Sequence, residues 1–322
     1  MTPDIGQKPA SLQCFVRLIA IDMDGTLLHS DGHVSERNLA AIREAEAQGI
    51  EVAIATGRRH CYAMRVLREL DRPADAALIS SNGTVIRTLG SELLYREHMP
   101  LETARWLCEH VKDFRGTLVL TFDKVRPDGE DDRGALVCEG VEELNENIGR
   151  WMEANALYIE HVLPIEEALD DAAPIQMMLC GPVDRMREAE AHLLRDPRVT
   201  NIDGNCEPGI EVNLHRTEYP NRDLCILDIL PAGCSKASAL LHLADLRGID
   251  ASEILAIGDN WNDVPMFQIA GQSAVMTNAP EDLRVLAAER GWLIVPSNDE
   301  DGVASVIERV LAGTRDLSTA LL

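Results

Sequence analysis

The segment Asp22-Met23-Asp24-Gly25-Thr26 sets two carboxylates two residues apart, directly after an apolar run. Side chains two apart on an extended segment point the same way, so Asp22 and Asp24 can face one site. Two close carboxylates repel unless they share a proton or a cation. A hard divalent ion such as Mg2+ resolves that conflict and prefers oxygen ligands. Gly25 permits a sharp turn after the acids. Taken alone, the same pattern also fits a loop with solvated acids.

Three further groups have similar character. Gly258-Asp259-Asn260-Trp261-Asn262-Asp263 is a second acidic cluster after an apolar run, in which Asp259 or Asp263 can equally be a helix N-cap. In Thr56-Gly57-Arg58, a hydroxyl and free backbone N–H groups at a helix start make a phosphate cradle, although Thr56 can also simply cap the helix. Ser235-Lys236 puts a cation at a helix start, where negative charge is favoured. A solvated lysine explains that placement, and so does a nearby anion.

The elements that must carry these groups follow from periodicity. Leu18–Ile21, Ile50–Ala55 and Ala76–Ile79 read as buried strands, separated by helical patterns over 36–48 and 60–70. After residue 230 the rhythm returns, with helices over 235–246, 263–269, 281–289 and 303–311 and strands over 254–257, 273–276 and 292–295. Such alternation predicts a parallel sheet covered by helices, with each chemical group at a strand end. Ligands bind at the carboxyl ends of such strands.

The middle differs. Candidate helices fall at 101–113, 141–153 and 183–195, and candidate strands at 118–122, 135–138, 176–180, 199–202, 210–214 and 224–229. This predicts an α+β unit with helices on one face of an antiparallel sheet. Pro127–Arg133 is acidic and turn-rich and reads as an exposed loop. The expected organisation is a Rossmann-like α/β core from residues 1–86 and 231–322, with an α+β domain inserted at 87–230.

Bulk properties narrow the function. The 322 residues carry a formal charge of −24, which argues against nucleic acid and against an anionic membrane surface. A single cationic or metal-bearing pocket can still hold a small phosphate. The eight cysteines form no CxxC pair, so reduced thiols are expected rather than a disulfide framework or a zinc site. The start of the chain lacks a signal-peptide pattern and no apolar run approaches a membrane span, so a cytoplasmic protein is expected.

The four groups in this order resemble the haloacid dehalogenase superfamily of phosphohydrolases. More narrowly they resemble its Cof-type subfamily, which inserts a large C2-type cap after the third core strand. The resemblance rests on residues 22–28, Ala55-Thr56-Gly57-Arg58, Ser81-Asn82-Gly83, Gly233-Cys234-Ser235-Lys236, 258–263 and Val275-Met276-Thr277-Asn278-Ala279. Cys234, Ala237 and Thr277 depart mildly from the usual text. The resemblance implies that Asp22 is the nucleophile and Asp24 the general acid and base. It implies Mg2+ held by Asp22, the backbone carbonyl of Asp24, and Asp259, with Asp263 in an outer role. It further implies that Thr56, Gly57, Lys236 and Asn262 hold the phosphoryl group, and that Arg58 and Asn82 meet either substrate or cap. A phosphatase for small phosphorylated metabolites is the expected activity, from a monomer or small homo-oligomer. A phosphomutase or phosphotransferase, or a phosphometabolite-binding protein, is the alternative. Arg126, Arg133, His215, Arg216 and Arg222 are the cap side chains that could touch a substrate, although side chains of these types are more often simply exposed.

Overall fold

A computed structural model describes residues 15–140, 149–201, 207–219 and 222–319. The chain opens with β1 (Leu18–Asp22), α1 (Glu36–Ala47), β2 (Glu51–Ala55), α2 (His60–Leu67) and β3 (Ala77–Ser80). It closes with α6 (Lys236–Arg247), β13 (Ile254–Gly258), α7 (Val264–Ile269), β14 (Gln272–Met276), α8 (Glu281–Arg290), β15 (Leu293–Val295) and α9 (Gly302–Thr319). Both ends share one sheet in the order β15-β14-β13-β1-β2-β3, all parallel.

These strands are apolar throughout because both faces are covered. Ile19 and Ile21 pack with Ile42 of α1, Met64 of α2 and Ile307 of α9. Leu18 and Ala20 pack on the opposite face with Leu240 of α6, Phe267 of α7 and Leu283 of α8. The first and last core helices are tied together by Asn38 of α1, whose buried side-chain carbonyl accepts the N–H of Ala304 in α9 at 2.9 Å.

The sheet reaches further than its motifs suggest. β4 (Val85–Thr88) and β5 (Leu93–Arg96) add an antiparallel hairpin beside β3. The expected boundary at 86/87 therefore cuts through a core strand, and the first core segment runs to Arg96.

The inserted unit holds α3 (Leu101–His110), β6 (Leu118–Thr121), β7 (Leu136–Cys138), α4 (Gly149–Asn155), β8 (Ile159–His161), β9 (Gln176–Gly181), α5 (Val183–Leu193), β10 (Val199–Thr200), β11 (Val212–Tyr219) and β12 (Leu224–Pro231). Its sheet runs β10-β11-β12-β9-β6-β7-β8. The centre is antiparallel as expected, but both edges pair in parallel, β10 with β11 and β7 with β8. Most of the expected helix at 141–153 and Ile202 lie outside the described residues. The strand expected at 210–214 extends to Tyr219, so β11 and β12 form one long hairpin.

Alternation sorts this sheet into two faces. Val212, Leu214, Cys225, Leu227, Met177 and Leu179 point toward α3 and α5. Asn213, His215, Thr217 and Tyr219 must point the other way, beside Ile226 and Asp228 on the neighbouring strand. That second face meets the core, since the Asn82 amide donates to Asp228 at 2.9 Å.

An arginine series seals the contact beyond. Arg59 pairs with Asp131 and bonds the Asn155 carbonyl oxygen at 2.6 Å, and Arg65 reaches Ala154 O at 2.5 Å. Arg68 pairs with Glu130. The Pro127–Arg133 segment is thus not a wholly exposed loop, because Asp131 is buried beneath Arg59.

Candidate active site

Asp22 ends β1, Thr56 follows β2, and Asp259 follows β13, so three adjacent strands deliver their polar ends to one crevice. The last residue of β1 is 5% exposed. Lys236, the first residue of α6, is 1% exposed, and its ammonium donates to Asp22 Oδ1 at 2.5 Å and Asp263 Oδ1 at 2.7 Å. The anion that offsets a lysine at a helix start is therefore a pair of carboxylates of the chain itself. Helix α6 is capped independently by reciprocal bonds between Ser235 and Ser238.

Asp263 has both oxygens engaged. Oδ1 takes Lys236, while Oδ2 accepts the backbone N–H groups of Asp259 and Asn260, each at 3.1 Å. The Asn260 side chain caps the turn by accepting the Trp261 N–H at 2.7 Å. Asp263 is fully buried and ties this turn to Lys236. Asn262 sits half-buried on the same turn.

Asp259 accepts from the Thr26 hydroxyl at 3.0 Å. Asn278, after β14, donates to the Gly25 carbonyl at 2.8 Å and approaches Asp259 at 3.4 Å. Its own carbonyl is fixed by the Asn298 N–H at 3.1 Å. Gly25 has φ +79°, and a Cβ there would lie 2.4 Å from Asp259 Oδ2. Both the turn and the close approach require glycine.

Carboxylate oxygens of Asp22, Asp259 and Asp263 lie within 4.8 Å of one another. One lysine does not balance three acids. Burial, then the charge of Asp263, pushes the Asp22 carboxyl well up, with Lys236 opposing and Asp259 adding to the rise. Burial and Asp263 also lift Asp259 to about 7. Burial acts to lower Lys236, yet Asp22 and Asp263 outweigh it and raise the ammonium. The cluster thus has an excess of negative charge that a divalent cation bound through oxygen relieves.

Asp24 faces elsewhere. Arg58 grips its carboxylate with two bonds, Nε at 2.8 Å and Nη2 at 2.5 Å, and Arg58 itself lies over the Tyr62 ring. The Asp24 side chain is not part of the acidic cluster. The Thr56 hydroxyl accepts the Arg58 N–H at 3.1 Å instead of capping α2, which begins after Arg59. The Asn82 amide turns to Asp228, and Gly57 lies against it.

Among the cap candidates, His215 lies on the core-facing side and is buried. Arg216, one residue on, pairs with Glu190 of α5 on the far side. Arg126 folds back on Asp128 and Asp132 of its own loop. Arg133 borders an open groove with Met152 and Leu157, and Arg222 is exposed. The residue missed from sequence is Tyr219. It lies on the core-facing side of β11 by alternation from His215, and desolvation, followed by the charges of Asp24, Asp228 and Asp22, raises its phenol to about 12. Strand parity from His215 was the available signal.

Comparison with known proteins identifies the family. The profile of the haloacid dehalogenase-like hydrolases matches residues 19–307. The chain is 30% identical over 309 residues to the 5-amino-6-(5-phospho-D-ribitylamino)uracil phosphatase YwtE of Bacillus subtilis, covering 92% of this chain and 99% of that protein. It is 26% identical to an HMP-PP phosphatase of Escherichia fergusonii, covering 83% and 86%. A solved haloacid dehalogenase-like hydrolase from Bacteroides thetaiotaomicron superposes with a TM-score of 0.70 at 27% identity, covering 92% of this chain and 99% of that one. The chain belongs to the haloacid dehalogenase-like hydrolases, in the Cof-type branch, and within them it is a phosphoric monoester hydrolase.

The six described cysteines are buried and free, while Cys14 and Cys206 lie outside the described residues. Among the described residues no helix is long and apolar enough to cross a membrane.

Proposed function

We propose that this protein is a magnesium-dependent phosphatase of small phosphorylated metabolites, working through an aspartyl-phosphate on Asp22. The observation that carries the reading is the buried cluster of Asp22, Asp259 and Asp263 around the single cation of Lys236. Asp22 and Asp259, with the backbone carbonyl of Asp24, would hold Mg2+. Asp263, with both oxygens occupied, orients Lys236 and the Asp259 turn from behind. When bound, the ion screens Asp22 from its neighbours and draws charge from the phosphoryl oxygens.

Asp22 attacks phosphorus and the leaving alkoxide departs with a proton from Asp24. Asp24 then takes a proton from the water that attacks the aspartyl-phosphate, and inorganic phosphate leaves. Arg58, which holds both Asp24 oxygens here, must release one of them for Asp24 to carry the proton in these steps. Thr56 keeps its hydroxyl proton to donate, and the Gly57 N–H, Lys236 and Asn262 lie where non-bridging oxygens gather charge. Asp24 favours the phosphatase over a dehalogenase, which needs no acid for an alkoxide.

The core-facing side of the inserted sheet is the surface that would meet the leaving group. The relatives named for a phosphorylated ribitylaminouracil and for HMP-PP set small phosphorylated metabolites as the substrate class to search. The test is a panel of such compounds with the purified protein. Phosphate release that stops with EDTA and returns with Mg2+ supports the reading, and release indifferent to both contradicts it.

A further inference from the structure

We infer that Asp228 is a positioning residue for the phosphoryl site, acting through Asn82 and the turn that holds both phosphate-binding segments. The inference rests on the phosphatase reading above.

The turn Ser81-Asn82-Gly83 follows β3 and has three consecutive positive φ values, +49°, +53° and +98°. A left-handed conformation is unfavourable for Ser81 and less so for Asn82, so surrounding contacts must enforce the run. On one side, the Asn82 N–H donates to Thr56 O at 3.1 Å and the Ser81 N–H to Arg58 O at 2.9 Å. An ideal Cβ on Gly57 would lie 3.0 Å from Asn82 Oδ1, so the amide packs flat against the phosphate loop. On the other side, a Cβ on Gly83 would lie 2.1 Å from Ser235 O and 3.1 Å from Lys236 N. The turn is therefore wedged between the Thr56 loop and the start of α6, and its position sets the spacing between Thr56 and Lys236.

The side chain of Asn82 has one anchor, Asp228 of β12, three residues before that strand ends at the return to the core. Asp228 is buried and also accepts from Gln176 of β9. A carboxylate can only accept, so Asp228 fixes which end of the Asn82 amide faces it. The Nδ2 turns to the inserted domain and Oδ1 turns to Gly57. Oδ1 is buried without a protein partner of its own, an unfavourable arrangement that the acidic anchor sustains. None of the phosphoryl chemistry uses Asp228, yet it reaches the phosphate loop through one side chain. With asparagine at position 228, both ends of that amide become acceptable partners, and Asn82 is free to flip.

The experiment compares wild type with Asp228→Asn, Asp228→Ala, Asn82→Ala and the Asp228→Ala/Asn82→Ala double variant. It measures kcat and KM on acetyl phosphate and on p-nitrophenyl phosphate, with melting temperature at pH 8. Asp228→Asn is expected to lower kcat roughly 10- to 100-fold on both esters, the scale of a small misplacement, while its melting temperature stays at or above that of wild type. The double variant is expected to be no worse than the poorer single variant, as for residues acting as one unit. If Asp228→Ala fails to fold, Asp228→Asn and Asn82→Ala still decide the matter. A kcat within twofold of wild type for Asp228→Asn, losses that multiply in the double variant, or a loss confined to one ester would overturn the inference. Asp22→Asn is the control. If it is inactive while Asp228→Asn is normal, this inference alone fails, whereas an active Asp22→Asn removes the Asp22 mechanism on which the inference rests, and a wild type inactive on both esters removes the phosphatase reading itself.

Discussion

Lys236 Nζ lies 2.5 Å from Asp22 Oδ1, with both side chains buried. The ammonium also holds Asp263, so its removal strands two buried carboxylates. Lys236→Met is expected to lower kcat by roughly 10²–10³, the scale of one lost preorganised donor. It is also expected to lower stability by about 3–5 kcal/mol in EDTA, with part of that recovered in Mg2+. Steady-state kinetics and denaturant melts in both conditions check this. A change under threefold in both kcat and KM contradicts the role.

Asn278 joins the Gly25 carbonyl to Asp259 and is itself held by Asn298. It orients a residue assigned to the metal without taking part in the chemistry. Asn278→Ala is expected to raise the Mg2+ concentration for half-maximal activity about 10- to 100-fold, with most of kcat recovered at saturation. A magnesium titration of activity reads this directly, and an unchanged midpoint contradicts it.

Asp228 supplies a pH test of stability. Burial lifts its carboxyl to about 6, with His215, Asn82 and Gln176 opposing the rise. A folded-state value above the unfolded one of about 3.9 gives stability that is complete below pH 4. That stability is lost as pH rises through 6, because only the native state keeps the proton there. Relative to Asp228→Asn, wild type is expected to lose on the order of 3 kcal/mol between pH 4 and pH 7. Urea melts across that range measure the difference, and a flat difference would show that Asp228 does not titrate there.

The core-facing side of β11 and β12 is expected to choose the leaving group. Tyr219→Ala should change the ranking of substrates by kcat/KM while leaving acetyl phosphate nearly unchanged. Arg216→Ala and Arg126→Ala should alter neither, since both side chains are engaged away from the core. An equal loss on every substrate in Tyr219→Ala would mean that it supports structure alone.

The core was legible because its strands are buried on both faces and each polar group stands at a strand end, as with Asp22 and Asp259. The hairpin β4/β5 was not, because Val85–Thr88 and Leu93–Arg96 lack the long apolar run of the central strands. In the inserted unit the limit was register. His215 and Arg216 are both candidate contacts in the sequence, but adjacent strand residues face opposite ways, and nothing local says which faces the core. Asp228 gave no signal, and Asn278 stood only within the motif at 275–279 with no role of its own, since a lone polar residue at a strand or turn takes its meaning from partners far along the chain, here Asn82 and Asp259.

The central claim is that the Asp22 carboxylate attacks phosphorus. The most direct measurement is phosphate release by Asp22→Asn in saturating Mg2+, with circular dichroism and melting temperature confirming the fold. The expected result is no turnover above background on any ester that wild type hydrolyses. Turnover near the wild-type rate in a folded Asp22→Asn protein would contradict the nucleophile and the mechanism built on it.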